Sequence, residues 1–128
     1  MKQACSKETY QHVKNEIHYN VLVEFLPALK TKANQAAVQS QATYAGGICQ
    51  GMMAIAEVDK NLATQENFDR LLKVPHLAQK IGVSFSALSK KGYATEENLN
   101  RIFSQPEAMD DTVKDIIEHG IPSVQIKP

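Results

Sequence analysis

The chain has 128 residues, 43% of them apolar and 22% charged, which fits one globular domain able to bury a core without covalent staples. Fourteen basic residues balance fourteen acidic ones, so no net field draws in nucleic acid or an anionic membrane surface. No apolar run approaches the roughly 18 residues needed to cross a bilayer, and Met1 to Ser6 leads into charged residues without a signal-like apolar stretch.

Ser6 is a suitable N-cap, and Val13, Ile17, Val21 and Phe25 recur at helical spacing, which predicts a first helix from about Ser6 to Phe25. Pro27 lacks a backbone donor and should end or kink it. Ala28 to Gln41 is rich in Ala, Gln and Lys and reads as a second helix, interrupted at Gly46-Gly47. Ile48, Met52, Ile55 and Ala56 then provide one apolar face before Asp59-Lys60-Asn61 closes that segment.

Beyond residue 58 a pattern recurs. Asn61-Leu62-Ala63-Thr64-Gln65-Glu66-Asn67-Phe68-Asp69-Arg70-Leu71-Leu72 precedes Pro75, and Gly92-Tyr93-Ala94-Thr95-Glu96-Glu97-Asn98-Leu99-Asn100-Arg101-Ile102-Phe103 precedes Pro106, at a constant offset of about 31 residues. Gly51 and Gly82 keep that offset upstream. Asn61 and Gly92 are types that accept a left-handed helix end. Thr64 and Thr95 can cap the next helix, with acidic side chains in its first turn. Phe68, Leu71 and Leu72, like Leu99, Ile102 and Phe103, form one apolar stripe, and each proline opens a longer helix. Each unit is thus a short helix, a proline turn and a longer helix, the second ending at His119-Gly120. Thr31-Lys32-Ala33-Asn34 is an echo too degenerate to count, and Ile121 to Pro128, with two prolines, reads as extended.

The run Phe85-Ser86-Ala87-Leu88-Ser89-Lys90-Lys91-Gly92-Tyr93-Ala94-Thr95-Glu96-Glu97-Asn98-Leu99, together with Leu62 to Asp69, resembles helical-repeat segments of Legionella- and Coxiella-type secreted effectors. The resemblance covers roughly Ala54 to Gly120, about half the chain. It implies an interaction scaffold delivered into a host cell, and it carries no catalytic residues.

A helix-turn-helix is the sharpest competitor. In His76 to Lys90, Ala78, Gly82, Val83 and Leu88 stand where that motif places its packing and turn residues. Ser84, Phe85, Ser86, Lys90 and Lys91 would then face DNA. Lys91 at an inward position, Gly92 cutting the second helix short and the lack of Arg or Gln for bidentate base contacts count against it. A helical hairpin whose Gly82 makes a turn is the simpler reading.

Other chemistry finds less support. His12 and His18 do not share a helix face, and His76 and His119 stand at predicted helix ends, so no metal set forms. Glu96-Glu97 and Asp110-Asp111 fit first-turn dipole compensation. Asp59-Lys60-Asn61 lacks the further oxygen ligands of a calcium loop, and Gly46-Gly47 lacks the Lys and Ser/Thr of a phosphate loop. Cys5 and Cys49 form no CxxC spacing and read as two reduced thiols, with a lone disulfide between them the alternative; Cys49 reads as structural and buried, and Met52-Met53 as filling the core.

The sequence therefore predicts a single all-α domain of five or six helices packed as antiparallel hairpins. Residues 1–58 form an N-terminal helical hairpin, 59–120 two repeats of about 31 residues, and 121–128 a tail. The expected function is a non-enzymatic protein-interaction module without cofactor or metal, binding a protein partner through a groove or face between repeats. A small DNA-binding regulator is the alternative. The expected location is the cytoplasm or, following the resemblance, a host cell reached without a cleaved signal peptide.

Overall fold

A computed structural model describes residues 7–120 of the chain. Among them are seven α-helices and no strand: α1 (Lys7–Phe25), α2 (Lys32–Gln39), α3 (Ala45–Val58), α4 (Gln65–Lys73), α5 (Ala78–Ser89), α6 (Glu96–Ser104) and α7 (Met109–His119). The number exceeds the expected five or six: the three segments before residue 59 and the short and longer helix of each later unit are all separate helices. Pro27, Pro75 and Pro106 each open a three-residue 3-10 turn, where the missing amide donor costs nothing. The predicted tail and Cys5 lie outside the described residues.

The short helices start in one way. The Thr64 hydroxyl accepts the Asn67 amide proton at 3.1 Å, and Thr95 does the same for Asn98 at 3.1 Å. The capped asparagine then reaches back: Asn67 Nδ2 donates to the Leu62 carbonyl at 2.8 Å, and Asn98 Nδ2 to that of Tyr93 at 2.7 Å. Thr31 and Asn34, set aside as degenerate on sequence, make the identical pair of bonds, to the Asn34 amide at 3.0 Å and the Leu29 carbonyl at 2.8 Å. All three asparagines are buried, so each satisfies its own amide while fixing the entry of the chain into its helix.

The lead-in differs between copies. Gly92 takes the left-handed conformation, φ 82°, with the Tyr93 amide bonded to the Leu88 carbonyl at 3.0 Å. Asn61 does not. It sits in a 3-10 turn whose start is capped by the Asp59 carboxylate, which accepts the Asn61 amide proton at 2.9 Å. Once Asp59 has closed that turn, no left-handed residue is needed to reach the clamp.

The helices form two rows. α1, α3, α5 and α7 lie side by side in chain order, and α2, α4 and α6 lie along one side of them. The core runs between the rows through Leu22, Ile48, Met52, Ile55, Phe68, Leu71, Ile81, Phe85, Leu88, Leu99, Ile102 and Ile116. α3 and α5 pack most closely of all. A Cβ placed on Gly82 would lie 2.6 Å from Gly51 Cα, and one on Gly51 would lie 2.3 Å from the Ala78 carbonyl oxygen. The two glycines kept at one offset are therefore where two helix backbones touch.

Gly46-Gly47 does not interrupt a helix either. The pair lies in the first turn of α3, with Gly46 against His18 and Gly47 against Gln79. The break falls earlier, at Ala42, a non-glycine residue held at φ 51°. The small residues of α3 thus serve contact with α1 on one side and α5 on the other.

Candidate interaction surfaces

α5 bears on the helix-turn-helix expectation. It runs unbroken from Ala78 to Ser89, so Gly82 makes no turn, either for a DNA-binding motif or for a simple hairpin. Gly82 is there for its lack of a side chain in the seam with α3, which outweighs its poor helix propensity. Of the residues expected to face DNA, Phe85 is fully buried, Ser84 and Ser86 are half-buried, and only Lys90 and Lys91 are exposed. They do not converge on one recognition face.

The short-helix row carries polar bonds from one helix to the next. Asn34 Nδ2 donates to Gln65 Oε1 at 2.8 Å, and Gln65 Nε2 returns a bond to Asn34 Oδ1 at 2.8 Å, so α2 and α4 are joined by a reciprocal amide pair. Between α4 and α6, Arg70 donates to Asn67 Oδ1 at 3.0 Å and to Asn100 Oδ1 at 2.8 Å. Its guanidinium lies 4.3 Å from the centroid of the Phe103 ring. Arg101 pairs with Asp115 of α7 at 2.5 Å. Bonds from Arg101 and His119 hold the exposed Asp115 carboxyl below its ordinary range.

These bonds leave an open groove of about 670 Å³ between α4 and α6, lined by Glu66, Asp69, Arg70, Lys73 and Asn100. Arg70 is held by Asn67, Asn100 and Phe103, whereas Glu66 and Lys73 make no ion pair among the described residues. Asp69 has no ion pair there either and accepts from Gln65 Nε2 at 2.8 Å, so the groove offers one fixed cation beside two carboxylates and one ammonium without ion-pair partners. The sequence predicts a groove or face between repeats only in general terms and names no lining, because which polar residues face each other depends on the tilt of α4 against α6.

The far side of the long-helix row is tied by side chains about one unit apart. The Tyr44 ring meets His76 edge-on at 6.5 Å, His76 Nε2 lies 3.0 Å from Glu107, Lys80 pairs with Asp110 at 3.0 Å, and Gln79 donates to Gln50 at 2.7 Å. His76 and His119, expected at helix ends, stand in a proline turn and at the last position of α7. No group of three or more His, Cys, Asp or Glu side chains converges among the described residues. Cys49 is fully buried on α3, and burial pushes its thiol up to about 12, which removes it as a nucleophile near neutral pH.

Two further features lie around α1. A hollow of about 640 Å³ is bounded by Tyr10, Gln11, His12, Asn15, Gln39, Ser40, Ala42 and Thr43, and the buried Gln39 Oε1 beside it has no hydrogen-bond partner. The second is the stripe Val13, Ile17, Val21 and Phe25, whose spacing predicted the helix. It faces outward. α1 is apolar on two sides, and the set that reaches the core is Tyr19, Leu22, Val23 and Leu26, with buried Asn15. The Tyr19 hydroxyl accepts the Thr31 amide proton at 3.1 Å and donates to the Thr31 carbonyl at 3.0 Å, which locks this rotation of the helix.

Comparison with known proteins finds no matching family model, no similar curated protein and no similar solved structure. No helix among the described residues is long and apolar enough to cross a membrane.

Proposed function

We propose that this chain is a non-enzymatic protein-interaction module built from helical units of about 31 residues, and that its partner docks along the groove between α4 and α6. The observation that carries this reading is the groove itself, which brings Glu66 and Lys73, without ion-pair partners, to either side of the anchored Arg70. A mixed-sign lining selects by pattern rather than by net charge, in keeping with fourteen basic and fourteen acidic residues. The partner is therefore a protein segment carrying both signs rather than a polyanion. The likeness of Phe85 to Leu99 to effector repeats supports placing the module in a bacterial protein delivered to a host cell.

The test is capture of host-cell proteins on the immobilised chain, compared with the double charge reversal Glu66→Lys and Lys73→Glu. Both side chains are exposed, but the swap opposes the α4 dipole at both ends, so the variant should melt slightly below the parent and is compared at a temperature where both are folded. We expect a specific protein to be retained by the parent and lost, by tenfold or more, from the variant. Equal retention by both would refute the groove. Tight, salt-sensitive binding to random duplex DNA would reinstate the DNA-binding alternative.

A further inference from the structure

The long helices turn side chains of one spacing toward the core. That spacing selects Ile48, Met52 and Ile55 on α3, Ile81, Phe85 and Leu88 on α5, and Met109, Val113 and Ile116 on α7. On α1 it selects Asn15, Tyr19 and Leu22. An amide only 1% exposed thus stands where the other three long helices carry an apolar side chain. The short helices show a second exchange. Eight residues after the capping threonine come Leu72 on α4 and Phe103 on α6, both packed against the core, but Gln39 on α2.

Both exchanged residues line the hollow of about 640 Å³ between α1, α2 and the turn after α2. Asn15 Oδ1 accepts from Gln11 Nε2 at 2.8 Å, while Asn15 Nδ2 donates to no described residue. Gln39 Oε1 is buried without a partner. Polar atoms held out of water and unpaired cost stability, which the apolar residues of the other units avoid. Ala42, on the same hollow, is held at φ 51°, a conformation that favours glycine. Three unfavourable features therefore meet at one place, and a bound group that bonds both amides would offset two of them.

That group must accept from Asn15 Nδ2 and donate to Gln39 Oε1. A carboxylate has no proton to donate, and an ammonium has no acceptor. Neither Lys, Arg, Asp nor Glu lines the hollow, so a charged group entering it would lose water without gaining a counter-ion. A carboxamide carries an acceptor and a donor on separate atoms of one plane. The molecule already bonds two amides in this way, since Asn34 and Gln65 exchange two bonds of 2.8 Å. A half-turn of the Gln39 amide exchanges its oxygen and nitrogen, so its acceptor can meet an incoming group. We propose that this hollow is a binding site separate from the α4–α6 groove, and that it takes the uncharged carboxamide side chain of a glutamine or asparagine in a partner peptide.

The experiment is proton–nitrogen correlation spectroscopy of the full chain, titrated with N-acetyl-glutamine methylamide, a fragment whose size suits millimolar affinity. The side-chain amides of Asn15 and Gln39 and the backbone amide of Ala42 should shift and saturate. N-acetyl-glutamate methylamide, nearly the same shape but charged, should bind more weakly by roughly tenfold. Gln39→Leu, which restores the residue type of α4, should melt no lower than the parent yet lose binding by roughly tenfold, read at Asn15 and Ala42. Glu66→Lys with Lys73→Glu should leave the titration unchanged, so this result and the partner-capture result stand or fall separately. A parent without saturable shifts overturns the proposal and leaves the hollow to water. Equal binding of the glutamate fragment overturns the choice of a carboxamide. A Gln39→Leu chain that binds like the parent, or melts below it, makes Gln39 a structural residue and also overturns the proposal.

Discussion

Two of the three seams along the row of long helices, α3 against α5 and α5 against α7, are built differently. In the first, Gly51 and Gly82 bring the helix backbones together, with no room for even a methyl group between them. In the second, the position one offset beyond Gly82 is the half-buried Val113, and α7 stands further away from α5. Backbone contact fixes helix separation and rotation together, because nothing between the helices can rotate to a new rotamer. A seam filled by side chains can adapt. The α3–α5 pair is thus the rigid centre of the molecule, and α7, with α6, is its more adjustable end.

The sharpest way to break this contrast is to add one carbon to the tight seam. Gly82→Ala gains helix propensity of about 1 kcal/mol but drives its methyl into the Gly51 backbone, for a net loss of about 2 kcal/mol, with denaturant unfolding as the measure. Val113→Ala should cost only about 1 kcal/mol, since the α5–α7 seam can close over the deletion. A Gly82→Ala variant as stable as the parent would mean that the helices do not touch at that point.

A smaller effect is expected at the starts of the short helices. Thr31→Ala, Thr64→Ala and Thr95→Ala should each destabilise by about 1 kcal/mol, read as a fall in melting temperature, because each leaves an asparagine amide uncapped. Near-equal losses at all three would show that the starts act alike whichever seam lies beside them. A silent Thr31→Ala would separate the first start from the other two.

The least costly probe is the thiol of Cys49, two residues before Gly51. It should react with a soluble disulfide reagent only after the seam opens, so its native labelling rate should fall far below that of the urea-unfolded chain. The thiol is raised in the fold from 9.0 to about 12. The stability drawn from keeping it neutral is therefore fully present below pH 9, and it is lost as the pH climbs from about 9 toward 12. A chain whose unfolding midpoint is flat across that alkaline window would place the thiol at the surface.

These features differ in how far they could be read from residues alone. Thr64 and Thr95 were legible as caps because capping needs only a hydroxyl and the next three residues. The echo at Thr31 is set aside on sequence as too degenerate, since α2 is poor in the apolar residues that make the other two stand out, although the cap does not depend on them. The asparagine clamp was legible only as a recurring letter; its role appears once the carbonyl five residues back is in place. Gly82 and Gly46-Gly47 were read as breaks from their propensity, yet contact with a neighbouring helix decides what a mid-helix glycine does. The rotation of α1 was open for a related reason. Two apolar sets share that helix, and only the Tyr19 hydroxyl, meeting the backbone at Thr31, settles which one turns inward.

The threonine–asparagine start also bears on how such a chain can change length. All its donors and acceptors come from a span running from the clamped carbonyl to the asparagine, so a segment that begins there carries its own instruction to begin a helix. A duplicated or excised segment bounded by two such points would leave every junction chemically intact. Growth by copying then needs no new joining sequence, only an outer surface ready to receive the added piece.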